Sequence, residues 1–400
     1  MTDGIMSPAT VALHADEAFR TDQAVAPPLC QSVTYSSNGS EEFSRKAVEP
    51  HNTEFYGRHG NPTAQRLAKI VADLEAAEAG MVFSSGMAAM TSAIMTLVSL
   101  GDHIIAQNSH YSATSSFLRK IMLRFGVETT FVDQTKPEAF AEAIRPNSKL
   151  IIIETPVNPL MTLTDLRAVT TIARNAGLMT ICDNTFASPI NQKPLILGAD
   201  LVVHSATKYI GGHHDLLAGV IAGSQSALDR IWHTTMDLGP VGAPFDAWLA
   251  MRGLRTLKAR MDIHNSNAMK IATFLEGHAE VVKVWYPGLK THPQHDLASR
   301  QMTGFGGMIT FNLKGGYDAG ARLISRLKLC QIAASLGGVE SLVVQPAAMF
   351  RARLSDEQIK AQGVSPGMVR MSVGLEAADD LIADLDQALD FTKPKAITPK

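Results

Sequence analysis

The chain has 400 residues, 46% of them hydrophobic, with 36 Lys and Arg against 38 Asp and Glu and a formal net charge of -2. A balance this close to neutral excludes a nucleic-acid or membrane-surface role built on bulk charge, and the length suffices for two domains with sizeable cores. Cys30, Cys182 and Cys330 lie far apart and form no CxxC pair, which argues against a disulfide framework or zinc site and for a reducing compartment. No charged n-region with a long apolar h-region opens the sequence, and no apolar run approaches the roughly 20 residues of a membrane span. The expected location is cytoplasmic.

In chain order, residues 1–60 are rich in Pro, Ser, Asn and charge and carry little periodicity. They read as an extended arm, and Val25, Leu29, Val33, Tyr35, Phe43, Phe55 and Tyr56 give it enough apolar surface to pack on a neighbouring subunit. From about residue 63, helical patterns at 65–78, 87–100 and 111–125 alternate with short apolar runs at 103–106, 127–132, 150–154, 178–183 and 201–204. That alternation predicts a layered α/β domain around a largely parallel sheet, with ligand-holding loops at the carboxyl ends of the strands. Residues 225–254 and 256–277 read as helical. A smaller α+β unit follows, with strands at 281–285, 307–313, 330–334 and 368–373, a closing helix over 377–391 and a frayed tail, KPKAITPK. The expected division is an arm over 1–60, a large cofactor-binding domain over 61–255 and a C-terminal domain over 256–400.

Polar residues fall at the predicted strand ends. SSGM (84–87) follows Met81-Val82-Phe83 and opens a helix, so its backbone N–H groups can cradle a phosphate, although Ser84 or Ser85 serving only as a helix cap explains the pattern equally well. Asn158 leaves another strand in ETPVNP, and Asp183 ends a third; a strand-terminal Asp is most often a cap. Lys208 stands in SATKYIGGHHD beside Ser205 and Thr207. A partly desolvated lysine amine loses its proton readily and can condense with an aldehyde. A carboxylate aimed at a pyridine nitrogen keeps that ring protonated. Lysine, aspartate and phosphate cradle together meet the requirements of pyridoxal 5'-phosphate.

The order YGRHGNPT (56–63), SSGMAA (84–89), ETPVNP (154–159), DNTFASP (183–189), SATKYIGGH (205–213), HPQHDLASRQMTGFGGM (292–308), SLGGVESL (335–342) and VRMSVGLE (369–376) resembles the Cys/Met-metabolism (transsulfuration) family of pyridoxal-phosphate enzymes over nearly the whole chain. The resemblance implies the aspartate-aminotransferase-like fold, fold type I. It implies Lys208 as the Schiff-base lysine that also moves substrate protons, Asp183 at the pyridine nitrogen, and Asn158 at the phenolic oxygen. Ser85, Gly86, Met87, Ser205 and Thr207 match the cofactor's phosphate cradle, and Tyr111 the aromatic that stacks on the ring and helps expel the leaving group. Tyr56 and Arg58 match the pair that reaches the neighbouring subunit's cofactor. Arg370, assisted by Ser335, matches the clamp for the substrate carboxylate. The implied assembly is a homotetramer, a dimer of dimers with each active site shared across the dimer interface, and the implied partner is a small amino acid, not a nucleic acid or membrane.

Other groups read more plainly. His213-His214-Asp215 and His292 with His295 lie in motifs that the family uses without metal, so no metal is expected. Met90 and Met95 are core filler, and Cys182 is a small buried hydrophobe. Methionine γ-lyases typically place a cysteine two residues after the stacking tyrosine, where this chain has Ala113; of two positions where cystathionine enzymes place an arginine, Ser116 fills one and Arg119 the other. Arg351 offers a further contact for a distal acid. The expected activity is γ-replacement or γ-elimination on a homoserine-derived sulfur or O-acyl amino acid, like cystathionine γ-synthase or γ-lyase. Cystathionine β-lyase, O-acylhomoserine sulfhydrylase and methionine γ-lyase remain as alternatives, with an aminotransferase or a non-catalytic relative more distant.

Overall fold

A computed structural model of the protein describes residues 6–20, 23–351 and 363–391. The tail read as frayed lies outside the described residues, as do residues 352–362. The chain divides into two compact units. The first takes the described residues up to Pro156, Leu163–Ala259 and Gln301–Thr303; the second takes Val157–Thr162, Arg260–Arg300 and the described residues from Gly304 onward.

The first unit is built on a seven-stranded sheet. Its strands are β1 (Ala79–Phe83), β2 (His103–Gln107), β3 (Glu128–Val132), β4 (Ser148–Glu154), β5 (Met179–Asp183), β6 (Leu201–Ser205) and β7 (Gly219–Gly223), in spatial order β1-β7-β6-β5-β4-β2-β3. β7 is antiparallel to both neighbours and the other pairings are parallel. The strand period of two sends alternate residues to opposite faces. On β4, Leu150 and Ile152 join one core with the helices Gly86–Leu97 and Gln225–Leu238, while Ile151 and Ile153 join another with the helix Leu166–Asn175. Each fully buried Ile or Leu contributes about 1.5–3 kcal/mol of transfer free energy, and a sheet covered on both faces reads as a continuous apolar run.

The second unit carries a five-stranded sheet in the order β10-β11-β12-β9-β8, with β8 (Val281–Trp285), β9 (Met308–Leu313), β10 (Gln331–Ile332), β11 (Leu342–Val344) and β12 (Met368–Ser372). The helices Leu257–Gly277, Gly316–Arg326 and Ala378–Leu389 bury their apolar stripes in its core.

Several expectations are corrected. The arm is not wholly extended: Pro8–His14 is a helix capped by Ser7, and Ser40–Val48 is another. The stretch 225–254 is two helices, because Gly239 adopts φ 81°, the left-handed region that closes a helix, and Pro244 begins the next. The helix expected at 111–125 is α-helical over Ser112–Ser116 and then a π-helix over Phe117–Met122. The strand expected at 330–334 is Gln331–Ile332 only, and β7 and β11 went unread.

Candidate active site

In the first unit the carboxyl ends of β5 and β6 lie side by side, with Asp183 in register with Val203. Asp183 and Ser205 continue the face that Ile181 and Val203 bury toward the helix Gly86–Leu97. Asp183 Oδ1 accepts the Thr185 N–H at 3.0 Å, and Thr185 Oγ1 accepts the Ser205 N–H at 2.9 Å. One threonine thus ties the two strand ends together. Burial raises the Asp183 carboxyl above its ordinary range, offset by the Thr185 hydrogen bonds and by His204. A carboxylate so placed favours a cationic partner.

Lys208 follows within one turn. Its N–H donates to the Ser205 carbonyl at 3.1 Å, and its carbonyl accepts the Gly212 N–H at 2.7 Å. The turn is backed by close packing: a Cβ on Gly253 would fall 2.0 Å from the Gly211 oxygen. Thr207 Oγ1 accepts the Ala218 N–H at 3.1 Å, holding this turn to the start of β7.

The opposing wall is the start of the helix Gly86–Leu97. Ser85 is its N-cap and accepts the Ala88 N–H at 3.0 Å. The capping role is therefore real, and the first-turn amides of Gly86 and Met87, which no intrahelical carbonyl can reach, are left to serve an anion. A Cβ on Gly86 would stand 2.8 Å from Ser205 Cβ, so glycine is what lets the helix start close on Ser205. Gly219 does the same from β7, where a Cβ would lie 2.1 Å from the Ser85 oxygen.

Tyr111 stands where the chain leaves β2, its side chain 49% exposed although its backbone N–H donates to Glu154 Oε2 at 2.6 Å. Tyr56 and Arg58 are exposed; the Arg58 guanidinium is 5.8 Å from the Tyr56 ring centroid and donates to the Met236 carbonyl. Cys182 is fully buried, and burial, with Asp183, Glu75 and Glu154 nearby, pushes its thiol well above its ordinary value.

In the second unit Arg370, on β12, is buried and donates from one guanidinium nitrogen to Asn158 Oδ1 at 2.9 Å and from another to the Ser335 carbonyl at 3.0 Å. Its register partner on β9, Thr310, donates to the Pro159 carbonyl at 2.6 Å. Two adjacent strands thereby hold one loop. Ser335 has φ 92°. Arg119 lies 3.6 Å from the Phe131 ring centroid and Arg351 3.8 Å from that of Tyr317, so each expected distal-acid contact is stacked on an aromatic ring. Among the described residues no group of three or more His, Cys, Asp or Glu side chains is placed to hold a metal, and no helix is long and apolar enough to cross a membrane.

Thr185, Gly219, Glu154 and Thr310 escaped the sequence reading. Glu154 and Thr185 left a signal by lying inside ETPVNP and DNTFASP, and Gly219 by closing the run GGHHDLLAG (211–219).

A lysine presented on a turn, a half-buried carboxylate one strand away and a glycine-started helix N-terminus define a fold type I pyridoxal-phosphate enzyme. The family described as Cys/Met metabolism PLP-dependent enzyme matches residues 9–390. The chain is 42% identical over 384 residues to an L-methionine gamma-lyase of Fusobacterium nucleatum, covering 95% of this chain and 97% of the relative. It is 44% identical over 368 residues to a cystathionine gamma-lyase of Bacillus subtilis, covering 92% and 94%. A solved structure, metB from Corynebacterium glutamicum, superposes with a TM-score of 0.89 at 40% identity, covering 97% of this chain and 99% of that one. The chain belongs to the Cys/Met metabolism family of PLP-dependent enzymes.

Proposed function

We propose that the protein catalyses γ-elimination or γ-replacement on a homoserine-derived amino acid that carries a sulfur or O-acyl leaving group at Cγ. The observation that carries this reading is the Asp183–Thr185–Ser205–Lys208 linkage, which ties the turn that carries Lys208 to the strand end that carries the half-buried Asp183. Similarity to a methionine and a cystathionine gamma-lyase supports the γ reading, while 41% identity over 372 residues to a cystathionine beta-lyase of Lactococcus lactis makes loss of a β group the second reading.

When bound, pyridoxal 5'-phosphate supplies an aldehyde that takes up amines and a protonated ring that draws electron density from the substrate carbon. Lys208 takes the Cα proton and then moves a proton from Cβ, after which the Cγ group departs. Asp183 pairs with the ring nitrogen and Asn158 with the phenolic oxygen. The Gly86 and Met87 amides hold the phosphate, with the Ser205 and Thr207 hydroxyls and Ser85 at the helix start. Tyr111 covers the ring and delivers a proton to the departing group. Arg370 binds the substrate carboxylate through its fork, with Ser335 beside it. Tyr56 and Arg58 serve the cofactor of a second copy, in a homotetramer built from two dimers. The compartment we propose is the cytoplasm.

The test is the keto acid released from purified holoenzyme offered cystathionine, methionine, O-acetylhomoserine and O-succinylhomoserine, each with and without a thiol. The reading expects 2-oxobutyrate, falling as a new thioether appears if replacement dominates. Pyruvate from cystathionine would make the enzyme a β-lyase.

A further inference from the structure

The turn that delivers Tyr111 is held by side chains rather than by a strand ladder. The parallel pairing of β2 with β4 runs to Ala106 opposite Ile152. Beyond it the buried side chain of Gln107 takes over. Its Oε1 accepts the Glu154 N–H at 3.1 Å and the Thr164 hydroxyl at 2.9 Å, and its Nε2 donates to the Glu154 carbonyl at 2.8 Å and the Ser109 carbonyl at 2.9 Å. Both donors and the acceptor of this amide are therefore used. The Gln107 N–H donates to His110 Nε2 at 3.0 Å, which leaves the imidazole proton on Nδ1. Burial, aided by the Arg119 charge, lowers the His110 pKa to about 3.

Glu154 closes this arrangement. Its carboxylate is 6% exposed; Oε2 accepts the Tyr111 N–H at 2.6 Å and lies 3.9 Å from His110 Nδ1. Glu154 is also the register partner of Asp183 on the neighbouring strand. The backbone that carries Tyr111 is thus referenced to the strand end that carries Asp183, while Tyr111 itself is half exposed. A half-exposed ring depends on its backbone for much of its placement.

We infer that Glu154 is a positioning residue for Tyr111, its carboxylate fixing the backbone from which the tyrosine ring covers the cofactor and assists departure of the leaving group. This rests on the role proposed above for Tyr111. A short, charge-assisted bond from a buried carboxylate to a backbone N–H is stronger and better oriented than a neutral one, and displacement of a reacting group by about 1 Å can cost on the order of 100-fold in rate.

The experiment compares holoenzyme variants by kcat, KM and the visible circular dichroism of the bound cofactor. Glu154→Ala should lower kcat by about 10–100-fold with KM within about 3-fold, and should alter the cofactor's dichroic band in the same sense as Tyr111→Ala. Glu154→Gln, which keeps an acceptor oxygen in place, should retain at least roughly one third of kcat. In the Tyr111→Ala background, Glu154→Ala should change kcat by no more than about 2-fold. Should Glu154→Ala fail to fold, Glu154→Asp withdraws the acceptor by one methylene and should reproduce the loss that Glu154→Gln avoids. A multiplied loss in the Tyr111→Ala background, an unchanged kcat in folded Glu154→Ala or Glu154→Asp, or a Glu154→Gln as impaired as Glu154→Ala would overturn the inference. If Tyr111→Ala alone keeps full kcat, the role given to Tyr111 fails instead, and the dichroic band decides the positioning: a band altered by Glu154→Ala but not by Tyr111→Ala contradicts it.

Discussion

The Ser205 N–H donates to Thr185 Oγ1 at 2.9 Å, so the strand end that leads to Lys208 is bonded to the residue that also caps Asp183. Thr185→Val keeps the shape and removes the acceptor. An N–H left unpaired in a part-buried site costs up to about 1–3 kcal/mol, so a cofactor titration of apo-protein should show affinity weakened by roughly 10-fold with the fold retained. Unchanged affinity would mean that the bridge is incidental.

Gly86 admits no side chain without displacing Ser205, whose Cβ would be 2.8 Å away. Gly86→Ala should open the helix start from Ser205 and cost about 1–3 kcal/mol of overpacking. Thermal unfolding with and without cofactor reads it. The cofactor-induced rise in Tm should shrink more than the Tm of the apo-protein falls.

What the sequence carried can be judged at these positions. Strand ends were legible because Asp183 and Lys208 close or follow apolar runs, and chemistry collects at the ends of a parallel sheet. The linking residues were not: Thr185, Gln107 and Glu154 act between segments distant in sequence, and no local pattern announces which side chain will span the gap. β7 escaped because Gly219 and Gly223 frame only three apolar residues, and the close approach of Gly219 to Ser85 exists only in three dimensions. The π-helix at Phe117–Met122 escaped because its apolar residues also satisfy a helical stripe.

Three buried histidines contribute to the loss of stability in acid. His110 is lowered from 6.5 to about 3, and His264 and His292 to about 4, each chiefly by burial. The unfolded chain therefore binds protons that the folded one refuses. Stability from these groups is fully present above pH ~6.5 and is lost as pH falls toward 4, by about 1.4 kcal/mol per pH unit for each histidine. Urea unfolding at several pH values between 7.5 and 4.5 should show this slope, and His264→Asn should reduce it by about one proton's worth. A stability independent of pH in that range would contradict the account.

Arg370 holds Asn158 and Ser335 with separate nitrogens. Lysine offers one point charge in place of a planar fork. Arg370→Lys should raise KM for the amino-acid substrate by about 10–100-fold and leave the absorbance of the bound cofactor unchanged. A variant that lost the cofactor but kept KM would assign Arg370 to a different task.

The most direct measurement of the central claim is borohydride fixation of the holoenzyme followed by proteolysis and mass spectrometry of the labelled peptide. The account predicts the reduced cofactor on Lys208, in the peptide containing SATKYIGG, and no fixation in Lys208→Ala. Label on another lysine, or full turnover by Lys208→Ala, would contradict it.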